Sequence, residues 1–238
     1  HPRAMMVGQP FPLPSAQMPP FTEQGAVMSQ FFQIHPENPQ ARLIKQAVEI
    51  IRNGGVVVYP TDSSYAVGCH IGDKSAVDRI RALRRLDDKH NFTLVCSDLS
   101  QLGLFAKVDT SAFRLLKAHT PGPYTFILSA TREVPRMLMH PKRRTIGLRV
   151  PQHPIAQALL AELGEPLMSV TLILPGESLP LSDPYEIREQ IEHQVDLIID
   201  GGYGGLEAST VVNLTDGDPQ VTRVGCGDPS PFTQGESA

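Results

Sequence analysis

A β-branched run, Val56 to Tyr59, leads through Pro60 into four consecutive hydroxyl or carboxylate side chains, Thr61, Asp62, Ser63 and Ser64, followed by Tyr65-Ala66-Val67-Gly68. Short hydroxyls both donate and accept, and at the end of a buried strand they can grip a small zwitterion or phosphate oxygens. An ordinary polar turn has the same composition, so the segment is a site only if other groups converge on it. Arg79, Arg81, Arg84, Arg85, Lys89 and His90 lie on or just beyond one helix, with Arg81 sharing a face with Arg84 and Arg85 at helical spacing. Guanidinium groups offer planar, two-pronged donors suited to phosphate, whereas a solvated helix face is the bland alternative. A second basic set follows at Arg132, Arg136, Lys142, Arg143, Arg144 and Arg149.

Three further segments pair turns with polar residues. Pro121-Gly122-Pro123-Tyr124-Thr125 delivers Thr125 to the head of a strand, and Gly147-Leu148-Arg149-Val150-Pro151-Gln152-His153-Pro154 ends a strand on an arginine before a helix. Gly201-Gly202-Tyr203-Gly204-Gly205 precedes Ser209-Thr210-Val211-Val212. Paired glycines let backbone amides approach a phosphate, but neither GxxxxGK[ST] nor GxGxxG occurs, so a flexible turn is the better reading. No GxSxG elbow is present, and the eight histidines show no HExxH or paired-ligand spacing. No built-in metal is expected; magnesium would arrive with substrate phosphates.

The elements that must position these groups follow from periodicity. Leu43, Ile44, Ala47, Val48 and Ile51 recur at helical spacing after an Asn38-Pro39 cap, with Pro at the first helical position, and Gly54 stops the helix. Asp73 caps a helix through Ala76, Val77, Ile80 and Leu83. Ser111–His119 and His153–Leu163 read as helices, and Asp183-Pro184-Tyr185-Glu186 opens another. Residues 56–59, 92–96, 125–128, 145–150, 167–174, 195–199, 211–214 and 221–224 read as strands. This alternation predicts one three-layer α/β domain, and strand pairs without an intervening helix make its sheet mixed.

At 238 residues, 41% hydrophobic and a net charge of −4, the chain can bury a substantial core, and disorder throughout is excluded. The most apolar window, residues 167–174, is far too short for a bilayer. Three cysteines without a CxxC pair form no disulfide framework, which fits a reducing, cytoplasmic setting. Residues 1–150 carry 19 Lys and Arg against 11 Asp and Glu, and residues 151–238 carry 2 against 14. Such a split suggests a surface that attracts polyanions, although solvated helix faces would give the same count. Residues 1–27 hold six prolines and no apolar period, and are expected to be a leader outside the fold. The domain is expected over 28–226, with a fraying tail over 227–238.

Taken in order, these segments resemble the YrdC/YciO family. The resemblance is carried by Gly55-Val56-Val57-Val58-Tyr59-Pro60-Thr61-Asp62 to Gly68, by PGPYT at 121–125, GLRVPQHP at 147–154, STVVNL at 209–214 and TRVG at 222–225. MSQFFQIHPENPQARLI from Met28 and DKHNFTLVC look most like the YciO branch. The resemblance implies a mixed, strongly twisted sheet with a positively charged concave face. It also implies synthesis of threonylcarbamoyl-adenylate from L-threonine, bicarbonate and ATP-magnesium, serving tRNA threonylcarbamoyladenosine modification. Family members have also been regarded as binders of double-stranded RNA. On this resemblance Thr61 and Tyr65 would bind threonine, with Arg149 for its carboxylate, while Arg84, Lys89, Thr125, Ser169, Thr171, Ser209 and Arg223 would line the nucleotide side.

Two departures bear on activity. Where the synthases carry Lys-x-Arg and Ser-x-Asn, this chain is read as having Arg84-Arg85-Leu86 and Thr171-Leu172-Ile173. Leucine cannot replace a guanidinium, nor isoleucine an amide, and lost charge-assisted phosphate contacts commonly cost on the order of 10²-fold in rate. Synthesis, hydrolysis of threonylcarbamoyl-AMP, and tRNA or double-stranded RNA binding without turnover are therefore the three readings the sequence leaves open.

Overall fold

The computed structural model describes residues 28–87, 90 and 92–233. The expected leader, residues 1–27, and Lys89 lie outside the described residues. The strands are β1 (Gln30–Gln33), β2 (Val57–Tyr59), β3 (Ala66–His70), β4 (Thr93–Val95), β5 (Tyr124–Ser129), β6 (Thr145–Arg149), β7 (Leu167–Thr171), β8 (Leu197–Asp200), β9 (Thr210–Asn213) and β10 (Gln220–Arg223). The helices are α1 (Ala41–Arg52), α2 (Lys74–Arg84), α3 (Leu99–Phe105), α4 (Thr110–His119), α5 (Pro154–Leu163) and α6 (Pro184–Ile191).

All ten strands join one mixed sheet in the order β1-β8-β2-β3-β7-β4-β6-β5-β9-β10. Pairs β1·β8, β2·β8, β4·β6 and β5·β9 are parallel, and the others antiparallel. Successive strand residues point to opposite faces, and the core divides accordingly. Val57, Tyr59, Leu197 and Ile199 pack with α1 and α5 on one face. Val58, Ile198, Phe126, Leu148 and Met168 pack with α2, α4 and α6 on the other. Burial on both faces explains why the central strands read as unbroken apolar runs. The architecture is thus a three-layer, mixed α/β domain. No helix among the described residues is long and apolar enough to cross a membrane.

Side chains close most helix starts. Asp73, Asp98, Asp109 and Asp183 each accept a backbone N–H of the first turn, at 2.8–2.9 Å. The start of α1 differs from expectation, because Pro39 lies outside the helix. There His35 Nδ1 accepts from the Glu37 and Asn38 amides, holding residues 35–38 in a turn, and Gln40 becomes the cap. Three elements were not anticipated. Gln30-Phe-Phe-Gln is an edge strand with only two apolar residues, β3 begins immediately after the polar turn, and α3 contains Gly103.

Of the tail expected to fray over 227–238, residues 234–238 lie outside the described residues, and residues 227–233 are packed on the domain. Residues 230–232 form a 3₁₀ turn whose Phe232 is only 4% exposed. Its ring lies 4.7 Å from that of His119 and 5.3 Å from that of Tyr124, so an aromatic anchor holds a segment whose Pro and Gly content suggested otherwise.

Candidate functional site

Helices α1 and α5 pack on β8, β2 and β3 and on Leu167 of β7 and Val95 of β4. Beyond them the same face is open, and its strand residues line a cavity of about 420 Å³. Alternation decides what faces it. On β5, Thr125 and Ile127 point to the cavity while Phe126 and Leu128 enter the core. On β6, Gly147 and Arg149 do so while Ile146 and Leu148 are core. β7 presents Ser169 and Thr171, β4 presents Thr93 and Val95, and the β9 and β10 region adds Ser209, Val211, Thr222 and Arg223. Gly147 keeps the floor flat, since a Cβ there would lie 2.9 Å from Thr93 Oγ1 and 3.2 Å from Phe92 O.

One wall is the Pro60–Tyr65 turn. Thr61 Oγ1 donates to Ser64 O at 2.6 Å and accepts from the Ser63 and Ser64 amides at 3.2 Å, which folds the turn on itself. Arg149 Nη1 donates to Ser63 Oγ at 2.7 Å, and Arg149 Nη2 pairs with Asp62 Oδ1. The second Asp62 oxygen accepts from the Gln152 amide at 2.9 Å. The turn and the end of β6 are therefore one unit. Across the floor, Thr125 Oγ1 and Ser209 Oγ share a hydrogen bond of 2.7 Å, and Arg223 donates to Ser209 O at 2.9 and 3.1 Å. Tyr59 and Ser169 share another of 2.7 Å, with burial pushing the Tyr59 phenol up to about 12.

The opposite wall is Arg84, at the end of α2, whose Nη1 donates to Thr171 O at 2.5 Å. Burial, and then the neighbouring charge of Arg223, pulls the Arg84 guanidinium below its ordinary value. Arg84, Arg149 and Arg223 all line the cavity, with no carboxylate among the described lining residues. The Nε donors of Arg84 and Arg149 are buried without a hydrogen-bond partner among the described residues. Like charges gathered beside hydroxyls, with donors unspent, suit an anionic ligand.

Of the expected site residues, Thr61, Arg84, Thr125, Arg149, Ser169, Thr171, Ser209 and Arg223 come together in this cavity. Tyr65 does not line it. Its ring is buried in the core, and its hydroxyl donates to Gly202 O at 2.7 Å and accepts from Gly201 N at 3.0 Å. That phenol holds the glycine loop rather than facing a ligand. The loop is no phosphate cradle either. A Cβ at Gly205 would lie 1.8 Å from Ser63 O, and one at Gly204 would lie 2.6 Å from the Tyr65 ring, so these glycines allow the loop to press on the back of the turn.

The two departures separate. Ile173 lines the cavity, whereas Leu86 is absent from its lining and packs against the core. Arg85 takes a left-handed conformation (φ 51°), and the Leu86 amide returns to Arg81 O at 3.0 Å. That is a Schellman end, which brings the residue after the left-handed one back onto apolar surface. Thr93 and Thr222 were missed as site residues, although the alternation of Thr93-Leu94-Val95 gave a signal for the first, and His90, named with the basic set, was not assigned to the site. Of the second basic set, Arg149 alone lines the cavity among the described residues, and residues 142–144 are exposed.

The chain is an α/β domain with an open, twisted mixed sheet whose uncovered face carries a hydroxyl-lined, arginine-rich pocket. The Sua5/YciO/YrdC family model, described as "Telomere recombination", matches residues 49–225, and the chain belongs to that family. It is 62% identical to YciO of Escherichia coli over 205 residues, covering 86% of this chain and all of that one. The crystal structure of E. coli YciO superposes with a TM-score of 0.84. A threonylcarbamoyl-AMP synthase of Halorhodospira halophila is 31% identical over 170 residues, 71% of this chain and 88% of that protein. The P. abyssi Sua5 structure complexed with L-threonine matches at 28% identity and TM-score 0.76, over 83% of this chain and 58% of that longer one.

Proposed function

We propose that this chain binds ATP and L-threonine in the open-face cavity and forms threonylcarbamoyl-AMP, with bicarbonate as the carbon source. The observation that carries this reading is the convergence of Arg84, Arg149 and Arg223 with Ser and Thr hydroxyls, without a carboxylate among the described lining residues. In such a reaction the threonine carbamate oxygen attacks the α-phosphorus of ATP, a new P–O bond forms, and pyrophosphate leaves with the electron pair of the broken bond. The chemistry needs no protein nucleophile. It needs positioning, exclusion of water from a short-lived carbamate, and fixed positive charge where the phosphate oxygens gain charge. Among the described residues no cluster of three or more His, Cys, Asp or Glu converges to hold a metal. Magnesium would enter with the nucleotide, held by its own phosphates.

Relatedness to a threonylcarbamoyl-AMP synthase and to a threonine-bound Sua5 supports the substrate assignment. The decisive experiment supplies L-threonine, bicarbonate and ATP-magnesium and measures pyrophosphate and threonylcarbamoyl-AMP. Threonine-dependent release of both is expected. Release no greater than in an enzyme-free control would end the synthase reading. A second reading is hydrolysis of threonylcarbamoyl-AMP, favoured by apolar Ile173 in the cavity wall and by Leu86 turned against the core, which leave fewer polar contacts for a departing pyrophosphate. Supplying threonylcarbamoyl-AMP and following AMP distinguishes the two.

A further inference from the structure

His90 lines the same cavity as Arg84 and Arg223, although it belongs to neither the Pro60–Tyr65 turn nor any strand. It follows α2 and is half-buried, with its ring edge-on to Phe92 at 5.9 Å and 73°. Phe92 is itself fixed in the core, 1% exposed, with the Arg81 guanidinium 4.6 Å from its ring centre. Neither ring nitrogen of His90 makes a hydrogen bond to a described residue, so the imidazole is held by packing while its polar atoms remain unspent. We propose that His90 is the proton-linked member of a polyphosphate subsite with Arg84 and Arg223, neutral in the free protein and protonated when a ligand carrying two or more phosphates enters.

The charges around the ring set the direction. Arg84 and Arg81 approach from α2 and Arg223 from β10, all opposing a further positive charge, while among the described residues Asp87 favours it. Burial chiefly, and then these arginines, hold the imidazole below its ordinary value in the free protein. A di- or triphosphate brings enough negative charge to reverse the sign of the local field, and a proton from solvent then adds a fourth cation. A monophosphate brings less, so discrimination against it grows as pH falls. Binding and protonation are linked reciprocally: whatever raises the imidazole's proton affinity on binding raises ligand affinity at lower pH by the same factor.

This inference rests on the nucleotide reading of the cavity, and inorganic pyrophosphate is the probe that tests them separately. The His90 ring signals of the full chain are followed by NMR against pH, identified by their loss in His90→Gln. The midpoint is expected below that of an exposed histidine without pyrophosphate, and at least one pH unit higher when the site is saturated. Calorimetry at pH 7 in two buffers of different ionisation enthalpy should show proton uptake that His90→Gln reduces. That variant should weaken pyrophosphate binding about 10-fold at pH 6 and less than twofold at pH 8. Should His90→Gln fail to fold, the backbone-assigned spectrum of the unaltered chain supplies the midpoint alone. Pyrophosphate bound with an unmoved His90 midpoint overturns the inference and leaves the nucleotide reading standing. A folded chain that binds neither pyrophosphate nor ATP overturns both.

Discussion

Asp62 and Arg149 form a buried ion pair joining the Pro60–Tyr65 turn to the end of β6, with side chains 12% and 8% exposed. Every oxygen of the carboxylate is engaged, one by Arg149 and the other by the Gln152 amide. The guanidinium in turn grips Ser63 Oγ. Arg149 is thus partly committed to building the cavity wall, with its Nε buried and unpartnered among the described residues. Breaking a buried pair by removing one charge strands the other, at a cost of about 3 kcal/mol or more. Asp62→Asn should therefore lower the melting temperature and weaken threonine binding at least tenfold by calorimetry. An unchanged melt with unchanged affinity would show that the turn holds without the pair.

Arg84→Ala should weaken ATP binding. Its guanidinium donates to Thr171 O and reaches the cavity from a half-buried position. A charge-assisted contact to phosphate contributes about 1.5–3 kcal/mol, so the dissociation constant should rise on the order of 10- to 100-fold. The dependence of binding on salt should become shallower. Equal affinity in a folded Arg84→Ala protein would assign this arginine to capping β7 only.

Ile173 and Leu86 should respond in opposite ways to polar replacement. Ile173 is a cavity-wall residue, so Ile173→Asn should leave the melt nearly unchanged and raise pyrophosphate release in the threonine-dependent assay. Leu86 is the apolar contact of the Schellman end, so Leu86→Arg should destabilise the protein by about 1–2 kcal/mol without a gain in turnover. The double variant is accordingly expected to fall below Ile173→Asn alone. A double variant more active than either single would place residue 86 in the cavity after all.

Alkaline pH should unfold the protein through buried acids that must stay neutral. Burial pushes the Tyr59 phenol up to about 12, and likewise the Cys69 thiol to about 12. Tyr65 is shifted in the same direction, again chiefly by burial. In the unfolded chain the thiol ionises near 8.5 and the phenols near 10. Between those values and 12 the unfolded state binds fewer protons, so stability is fully present below about pH 8.5 and is lost as pH rises. Urea midpoints at pH 8, 10 and 11 should fall in that order. Tyr59→Phe should start lower, having lost the Ser169 hydrogen bond, and fall less between pH 10 and 11.

The strands were legible mostly as short apolar runs bounded by turns, and in places as a two-residue period. Gly147-Leu148-Arg149 and Ser169-Val170-Thr171 each alternate small or polar residues with core residues, and this alternation builds both the cavity floor and the layer beneath it. Helix caps at Asp73 and Asp183 were equally local signals. Such features depend on φ, ψ and side chains a few residues apart, which any reader of the chain can see.

Tertiary structure decided which polar face became a site. Alternation alone cannot say whether Thr125 and Ser169 meet a helix or open space; that depends on where the crossovers carry α1 and α5, which stop covering the sheet partway across it. It also decided three residue roles. Tyr65 looks like a ligand-facing phenol beside Ser64 but spends its hydroxyl on Gly201 and Gly202, 136 and 137 positions away. Leu86 occupies a motif position in a basic segment but is turned back against the core by a left-handed residue at Arg85. Arg223, from the acidic part of the chain, joins Arg84 and Arg149 only because β10 pairs beside β9 at the far end of the sheet. Strand order brings distant charges together at distances where burial strengthens them, and that order is a property of the packed sheet rather than of any window of sequence.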